Sequence, residues 1–596
     1  MADYSINNIY SGGYSGLDSN KNYGTLFSGY NVSAQGMGMS TDARTANILK
    51  EVSKNLSAGG TTIEVTQVSP QVFDAIPKQQ LEEVRRLAKL LNVDVSLHAP
   101  IVDASGINEQ QHFTETSREQ AEKVMINAIE RAHELNPDGN IPVTFHSSAN
   151  LPGAEIIKNK NGKIEIKEAF VVDTEKGGIG KLPLRERHFG EINQNNLKAP
   201  DLKTEIKDLN EDQWGQKLRN LNYYAKLGIE SIDSSVYQKT TSEIKEKEGG
   251  ELTPLESRSK FEFDRGINFL TESYRDLKGL FETAYRHGTN DDKKLLDELN
   301  KNIANDFKEI EKEKDREKSA QIMKKVVEEG LKTLEKVSAP EIYKPLDDFA
   351  RERSVDTFSN VALESYKKFK NSSPIISVEN PPAGMGFSTG EDLKKIVEKS
   401  REKFVEKAVA QGILSESQAK KEAEKLIGVT WDVGHINMLR KKGWEAEDII
   451  KETEKVAPLV KHVHLSDNFG LEHTELPMGM GNVPIKEIMQ KLGKEGYKGK
   501  KIIEAMSWWQ HFSEQGKAPP FQPSLEAMGS PIFSGVASPY WNQTGSFYEG
   551  YSGGFGMMLP QINYQTFGAG FSRLPSELGG QIPGAQGSRV SGNPME

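Results

Sequence analysis

The sequence predicts an α/β fold, a (β/α)8 barrel of parallel strands ringed by helices, and three observations predict it. Apolar, β-branched runs recur, each closing on a histidine or a carboxylate: Val429-Thr430-Trp431-Asp432-Val433-Gly434-His435, Val95-Ser96-Leu97-His98, Ile141-Pro142-Val143-Thr144-Phe145-His146, Ile376-Ser377-Val378-Glu379, Val463-His464 and Ile502-Ile503-Glu504. A run of that kind reads as a buried parallel strand with its polar residue at the carboxyl end, where barrels of this type place their chemistry. Strands and helices then alternate with a period of roughly 30–45 residues, the rhythm of βα units. Counted through the chain, the strands number eight, which is the closure number of the barrel.

In order, residues 1–28 are rich in Gly, Ser, Asn and Tyr and read as a flexible N-terminal arm. The first half of the barrel takes 29–150. It comprises strand Asn31–Ala34, helix Thr41–Leu56 capped by Ser40 or Thr41, strand Thr61–Val65, helix Lys78–Leu91, strand Asp94–His98, helix Ser117–Leu135 and strand Ile141–His146. The rhythm then stops for about two hundred residues, far beyond an ordinary loop. We read 151–354 as a long, largely helical insertion after strand four. It opens with a β-hairpin at Ile156–Val172, turning at Asn159-Lys160-Asn161-Gly162. A mixed, breaker-rich stretch covers 174–256, and strongly helical sequence runs from Phe261 to Val337. Charge runs such as Glu309–Lys318 read there as solvated helix faces.

The second half takes 355–512: helix Val355–Lys370, strand Ile375–Glu379, helices Thr389–Gln411 and Ser415–Leu426, strand Gly428–Asp432, helix Ala446–Lys455, strand Val460–Leu465, helix Val483–Leu492 and strand Lys500–Glu504. Residues 513–596 form a Gly/Pro/Ser-rich C-terminal tail.

Composition narrows the chemistry. The 596 residues exceed the ~250 typical of one such barrel, which agrees with one barrel plus added material. The chain has no cysteine, so thiolate sites are excluded and any metal must be held by His, Asp or Glu. Residues Met1–Gly16 lack the basic and apolar regions of a signal peptide, and no apolar run approaches the ~18 residues of a membrane span. A cytoplasmic location and no membrane partner are the expectations. The net charge of −10 is mild for this size and makes no case for nucleic-acid binding on its own.

Five of the eleven histidines (His98, His146, His435, His464 and His473) fall at or just after strand ends, as do Glu379, Asp432 and Glu504, while Glu475 lies in the loop after strand seven. A lone histidine of this kind is commonly a hydrogen-bonded structural residue. Imidazoles and carboxylates converging on one rim instead form an O/N site suited to zinc, manganese or a similar divalent ion.

Seven stretches carry a family resemblance: Leu97-His98-Ala99-Pro100, Phe145-His146-Ser147, Val378-Glu379-Asn380, Asp432-Val433-Gly434-His435, His462-Val463-His464-Leu465-Ser466-Asp467, Leu476-Pro477-Met478-Gly479-Met480-Gly481-Asn482 and Ile503-Glu504. Together they resemble the xylose isomerase-like TIM barrel superfamily, which includes endonuclease IV (AP endonuclease family 2) and the sugar phosphate isomerases and epimerases. The resemblance spans roughly residues 30–150 and 370–535. It implies one metal held by Glu379, Asp432, His464 and Glu504. In the nuclease branch it implies a second at His98 and His146, with Glu379 bridging, and a third at His435 plus an Asp-x-His pair. Here that pair stands reversed in type, as His473-Thr474-Glu475.

One to three divalent ions per chain are thus expected, zinc first, with manganese, cobalt or magnesium as alternatives. The expected activity is hydrolysis of a phosphodiester at an abasic or damaged DNA site. The alternative is isomerisation or epimerisation of a sugar or sugar phosphate, with Glu379 and Glu504 as the catalytic acid–base pair. A non-catalytic binding scaffold is the third reading. No Arg/Lys cluster with interleaved aromatics adjoins the ligands, and Trp508-Trp509 reads as either a stacking platform or core. Oligomeric state is open.

Overall fold

The runs that close on a histidine or an acid form parallel strands whose residues are almost all buried. The computed structural model describes residues 37–57, 60–159, 162, 164–184, 201–247, 251–312, 316–478, 481–497, 499–505 and 524. The barrel strands are β1 (Met37–Ser40), β2 (Thr62–Thr66), β3 (Asp94–His98), β4 (Pro142–His146), β5 (Ile375–Glu379), β6 (Ile427–Asp432), β7 (Val460–Leu465) and β8 (Lys500–Ile503). They close in sequential order, each hydrogen-bonded to its neighbours in the series and β8 to β1. All eight pairings are parallel. The fold is an eight-stranded (β/α) barrel.

Period-2 geometry sends alternate residues to opposite faces. On β6 the outward Trp431 is fully buried, and its Nε1–H donates to Thr453 Oγ1 (3.1 Å) on helix Ala446–Val456, locking strand to helix. Helix Lys78–Leu91 buries Leu81, Val84 and Ala88, one stripe at helical spacing. Helices Glu115–Leu135 and Gly390–Ala410 start on threonine caps, Thr114 and Thr389, whose hydroxyls accept the N–H of Ser117 and Asp392. Barrel interiors of this type are usually filled by bulky branched side chains. Here the inner face carries Glu64, Ser96, Thr144, Ser377, Thr430 and His462, tied by hydrogen bonds such as Thr430 Oγ1 to Ser377 Oγ (2.8 Å) and Thr144 Oγ1 to Thr430 Oγ1 (2.9 Å).

Four elements differ from the sequence reading. The first strand is at Met37–Ser40; Asn31–Ala34 lies outside the described residues. Gly38 is needed in the strand because a Cβ there would stand 1.8 Å from Thr62 O. The following helix begins at Ile48 rather than Thr41, since the Thr41 hydroxyl accepts the Thr66 N–H (2.9 Å) across the barrel end instead of capping a helix. Within 174–256, residues Leu202–Lys247 form one long helix. The helix before β5 starts at Leu346, directly after Pro345, with Asp347 and Asp348 in its first turn. The N-terminal arm, Trp508-Trp509 and, apart from Ser524, the C-terminal tail lie outside the described residues.

The hairpin pairs Glu155–Lys158 antiparallel with Ile164–Asp173. A second compact unit comprises 171–176 and 184–345. Its helices Leu202–Lys247, Pro254–His287, Asn290–Lys312 and Arg316–Leu334 bury Trp214, Leu221, Phe263, Leu270, Val326 and Leu334 in a core of their own. Strand Tyr343–Pro345 pairs with Val171–Asp173, and the Asn210 amide makes both backbone hydrogen bonds to Tyr343 (2.9 Å each). Among the described residues no helix is long and apolar enough to cross a membrane.

Candidate metal centre

Four consecutive strands each deliver one donor at or just past the carboxyl end: Glu379 from β5, Asp432 from β6, His464 from β7 and Glu504 following β8. Register enforces this. Asp432 is level with His464, and the Glu504 N–H continues the ladder to Leu465 O (3.0 Å). One ligand atom from each of the four lies within 4.8 Å of the others, and all four residues are buried. His464 Nδ1 stands 2.6 Å from Glu379 Oε1 and 3.3 Å from Glu504 Oε2.

The residues fit a divalent ion. Glu379 Oε1, Asp432 Oδ2 and His464 Nδ1 are buried and make no hydrogen bond, although Oε1 and Nδ1 are close. Near approach without hydrogen-bond direction is what donors aimed at a common point produce, and ions bound by such donors sit ~2.0–2.2 Å from each. The charges point the same way. Burial, together with the neighbouring Glu504 and Glu379, pushes the Asp432 carboxyl well above its usual range. Burial opposes charge on His464, but Glu504, Glu64 and Glu379 outweigh it and hold the ring well above its ordinary value. The cluster is short of positive charge, which a divalent cation supplies.

Two further donor sets adjoin the first. His98 and His146 each place Nε2 3.2 Å from Glu379 Oε2, so this carboxylate faces two imidazoles with one oxygen and a third with the other. His98 Nδ1 lies 2.9 Å from Ala99 O and donates to it, leaving Nε2 for Glu379. Burial lowers the affinity of His98 for a proton, yet the Glu379 hydrogen bond and the surrounding carboxylates raise its pKa to about 9. Burial also opposes ionisation of Glu379, but the facing imidazoles of His464, His146 and His98 hold it well below the usual carboxylate range.

The third set is His435, His473 and Glu475. His435 Nδ1 donates to Asn380 O (2.7 Å), and its Nε2 meets His473 Nε2 at 2.7 Å; His473 Nε2 is 3.2 Å from Glu475 Oε1. Burial and the His473 ring depress His435 to about 3. The loop after β7 folds back through paired hydrogen bonds between Asp467 and Leu476 (2.8 Å each), which returns His473 and Glu475 to the barrel mouth, with Glu475 at φ +42°. Gly434 permits this packing, since a Cβ there would stand 2.1 Å from Ser466 Oγ. The reversed order of His473 and Glu475 therefore still assembles one carboxylate and two imidazoles.

All nine candidate ligands fall within these three sets. Sequence reasoning missed Asn380, whose amide accepts the Asp432 N–H (2.9 Å) and donates to Asp432 O (3.0 Å). It also missed Glu64 and His462, fully buried one layer below the ligands. The signal for these two was the alternation Thr62-Ile63-Glu64-Val65-Thr66 and His462-Val463-His464, with polar residues at every second, inward position.

Residues 413–522, which carry Asp432, His435, His464, His473, Glu475 and Glu504, match the family described as xylose isomerase-like TIM barrel. Over that stretch the chain resembles the xylose isomerase-like barrels. The chain is also 35% identical over 80 residues to the uncharacterized protein MJ1311 of Methanocaldococcus jannaschii; the match covers 13% of this chain and 26% of that relative. Among solved structures it is similar to a D-tagatose 3-epimerase-like protein (14% identity, 79% of this chain and 91% of that chain, TM-score 0.34). It is also similar to the D-psicose 3-epimerase of Clostridium cellulolyticum H10 (9%, 79% and 85%, 0.35) and to the apo 3-keto-D-glucoside 4-epimerase YcjR of E. coli (10%, 83% and 98%, 0.34).

Proposed function

We propose that this xylose isomerase-like barrel is a divalent-metal enzyme that moves a proton on the carbon skeleton of a small polyhydroxylated substrate, a sugar or sugar phosphate, as an isomerase or epimerase. The observation that carries the reading is the placement of Glu379 and Glu504 at the two ends of the four-strand donor row, both within reach of His464 Nδ1. A substrate held at that point has a carboxylate on either side. Glu379, Asp432, His464 and Glu504 would hold a divalent ion, which would supply Lewis-acid polarisation of a carbonyl and so acidify the neighbouring C–H. Both glutamates are held below the usual carboxylate range, Glu504 by His464 against the effect of burial, so either can accept that proton at neutral pH and the other return one. The family description supports this reading over the DNA-repair activity placed first from the sequence. Of the three basic residues after β6, two are engaged: Arg440 donates to Asn482 O and Lys441 pairs with Glu472, which favours a small substrate over a polyanion.

A second reading, phosphodiester hydrolysis, is favoured by one observation: Glu379 is shared between two donor sets, with a third set beside them. Clustered ions there would clamp a phosphate and activate water. The test is incubation of the Mn2+- or Co2+-loaded protein with ketoses, aldoses and their phosphates in D2O, read by NMR. Deuterium at the carbon next to the carbonyl, lost in Glu379→Gln and Glu504→Gln, is the expected result. No exchange with any of them, together with cleavage of abasic duplex DNA, would overturn the first reading in favour of the second.

A further inference from the structure

We infer that Glu64 is the positioning residue of the metal centre, fixing His464 in the one tautomer that can bind the ion. This rests on an ion at the Glu379–Asp432–His464–Glu504 point, which both readings above share. β2 carries Glu64 into the barrel interior below the ligands, where it is fully buried. Its Oε2 accepts from Ser96 Oγ (3.0 Å) and lies 2.8 Å from His462 Nε2 and 3.4 Å from His464 Nε2, while Oε1 approaches the same His464 nitrogen to 3.2 Å without hydrogen-bond direction. An ionised carboxylate only accepts, so the imidazole nitrogens that face it carry their protons.

For His464 the consequence is specific. With the proton on Nε2, the lone pair is on Nδ1, the atom that makes no hydrogen bond and stands among the carboxylates of Glu379 and Glu504. A neutral imidazole without Glu64 could instead protonate Nδ1 and donate to Glu379 Oε1 at 2.6 Å, covering the ligand atom with a hydrogen. Glu64 excludes that competitor. Ser96 and His462 in turn hold the carboxylate, so the ring orientation is set by strands β2, β3 and β7 together and not by the ligand row itself.

The test uses full-length protein stripped of metal and titrated with Co2+ alone, following d–d absorption and competition with a chelator. His464→Ala identifies the spectral component that belongs to this position. Loss of a group that orients a metal ligand typically weakens affinity about 10–100-fold. Glu64→Leu is expected to lie at the upper end of that range and to change the spectrum at saturation. Glu64→Gln, which still offers one accepting oxygen, should recover part of the loss. A residue that served only packing would lower the melting temperature without moving the saturated spectrum.

Wild-type affinity and spectrum in both variants would overturn the role of Glu64 while leaving the metal centre standing. A wild type that takes up no Co2+ at the His464-dependent position would overturn both. Should Glu64→Leu not fold, Glu64→Gln and Ser96→Ala decide: a weakened, altered Co2+ site in the glutamine variant supports the assignment, and unchanged sites in both overturn it.

Discussion

Replacing His98 and His146 together by alanine should remove one ion from the centre and leave another in place. Both imidazoles face Glu379 Oε2 and neither belongs to the Glu379–Asp432–His464–Glu504 set, so the substitution takes two of three donors from one set and none from the other. Four-ligand zinc sites bind with roughly 10–16 kcal/mol, or about 3 kcal/mol per ligand. Losing two ligands therefore weakens the second position by about 6 kcal/mol, a factor of ~10^4 at 1.4 kcal/mol per tenfold, enough to empty it at micromolar free metal. The four-ligand position loses only two neighbours of Glu379 and should change far less. Elemental analysis of wild type and double variant, equilibrated at one buffered free-metal concentration, reads this directly. Two or three ions falling by one is the expected result. An unchanged count of one would refute a bridging Glu379 and remove the observation behind the phosphodiester reading. Loss of every ion would refute the separation of the sets.

Three further outcomes follow from individual contacts. Asn380→Ala removes the buried amide that accepts the Asp432 N–H and donates to its C=O, at about 1–3 kcal/mol for the N–H left unmet, and should lower the urea midpoint; an unchanged midpoint would deny the clamp. Asp347, half-buried near Asp392 and only partly compensated by Arg351, has its carboxyl raised by burial and by Asp392 to about 6. Because the folded value lies above the unfolded one, the ionised form disfavours the fold. That cost is absent below pH 4, grows between pH 4 and 6 and is complete above, on the order of 1–3 kcal/mol after screening. Asp347→Asn should thus raise the melting temperature at pH 7.5 and not at pH 4; an equal shift at both would contradict the assignment. Gly434→Ala drives a Cβ to 2.1 Å from Ser466 Oγ and should cost about 1–3 kcal/mol, mostly regained in Gly434→Ala/Ser466→Ala. Purely additive thermal shifts would show that the two side chains do not meet.

Strands β3, β5 and β7 were legible to the residue, because each is short and carries a polar side chain at or next to its carboxyl end, His98, Glu379 and His464. β1 was not, because Gly38 signals a turn locally and is required only by the approach of Thr62 from the neighbouring strand. The helix Leu202–Lys247 was obscured by its own sequence, in which Asn, Gly and Asp interrupt any single apolar stripe; its burial is decided by three other helices. At the centre, the kinds of donor were readable from strand ends, and their grouping only through the family resemblance.

The sequence by itself determined that eight βα units close a barrel and that imidazoles and carboxylates stand at the ends of its strands, since both follow from period-2 alternation and chain order. Tertiary structure alone decided that Glu379 faces three histidines, that the loop after β7 returns His473 and Glu475 to His435, and that Glu64 lies beneath His464. Those contacts join residues up to 400 positions apart in the chain, as His464 and Glu64 are, and what brings them together is the closure of β8 onto β1 and the register of the strands between them. Neither is written in any local stretch of sequence.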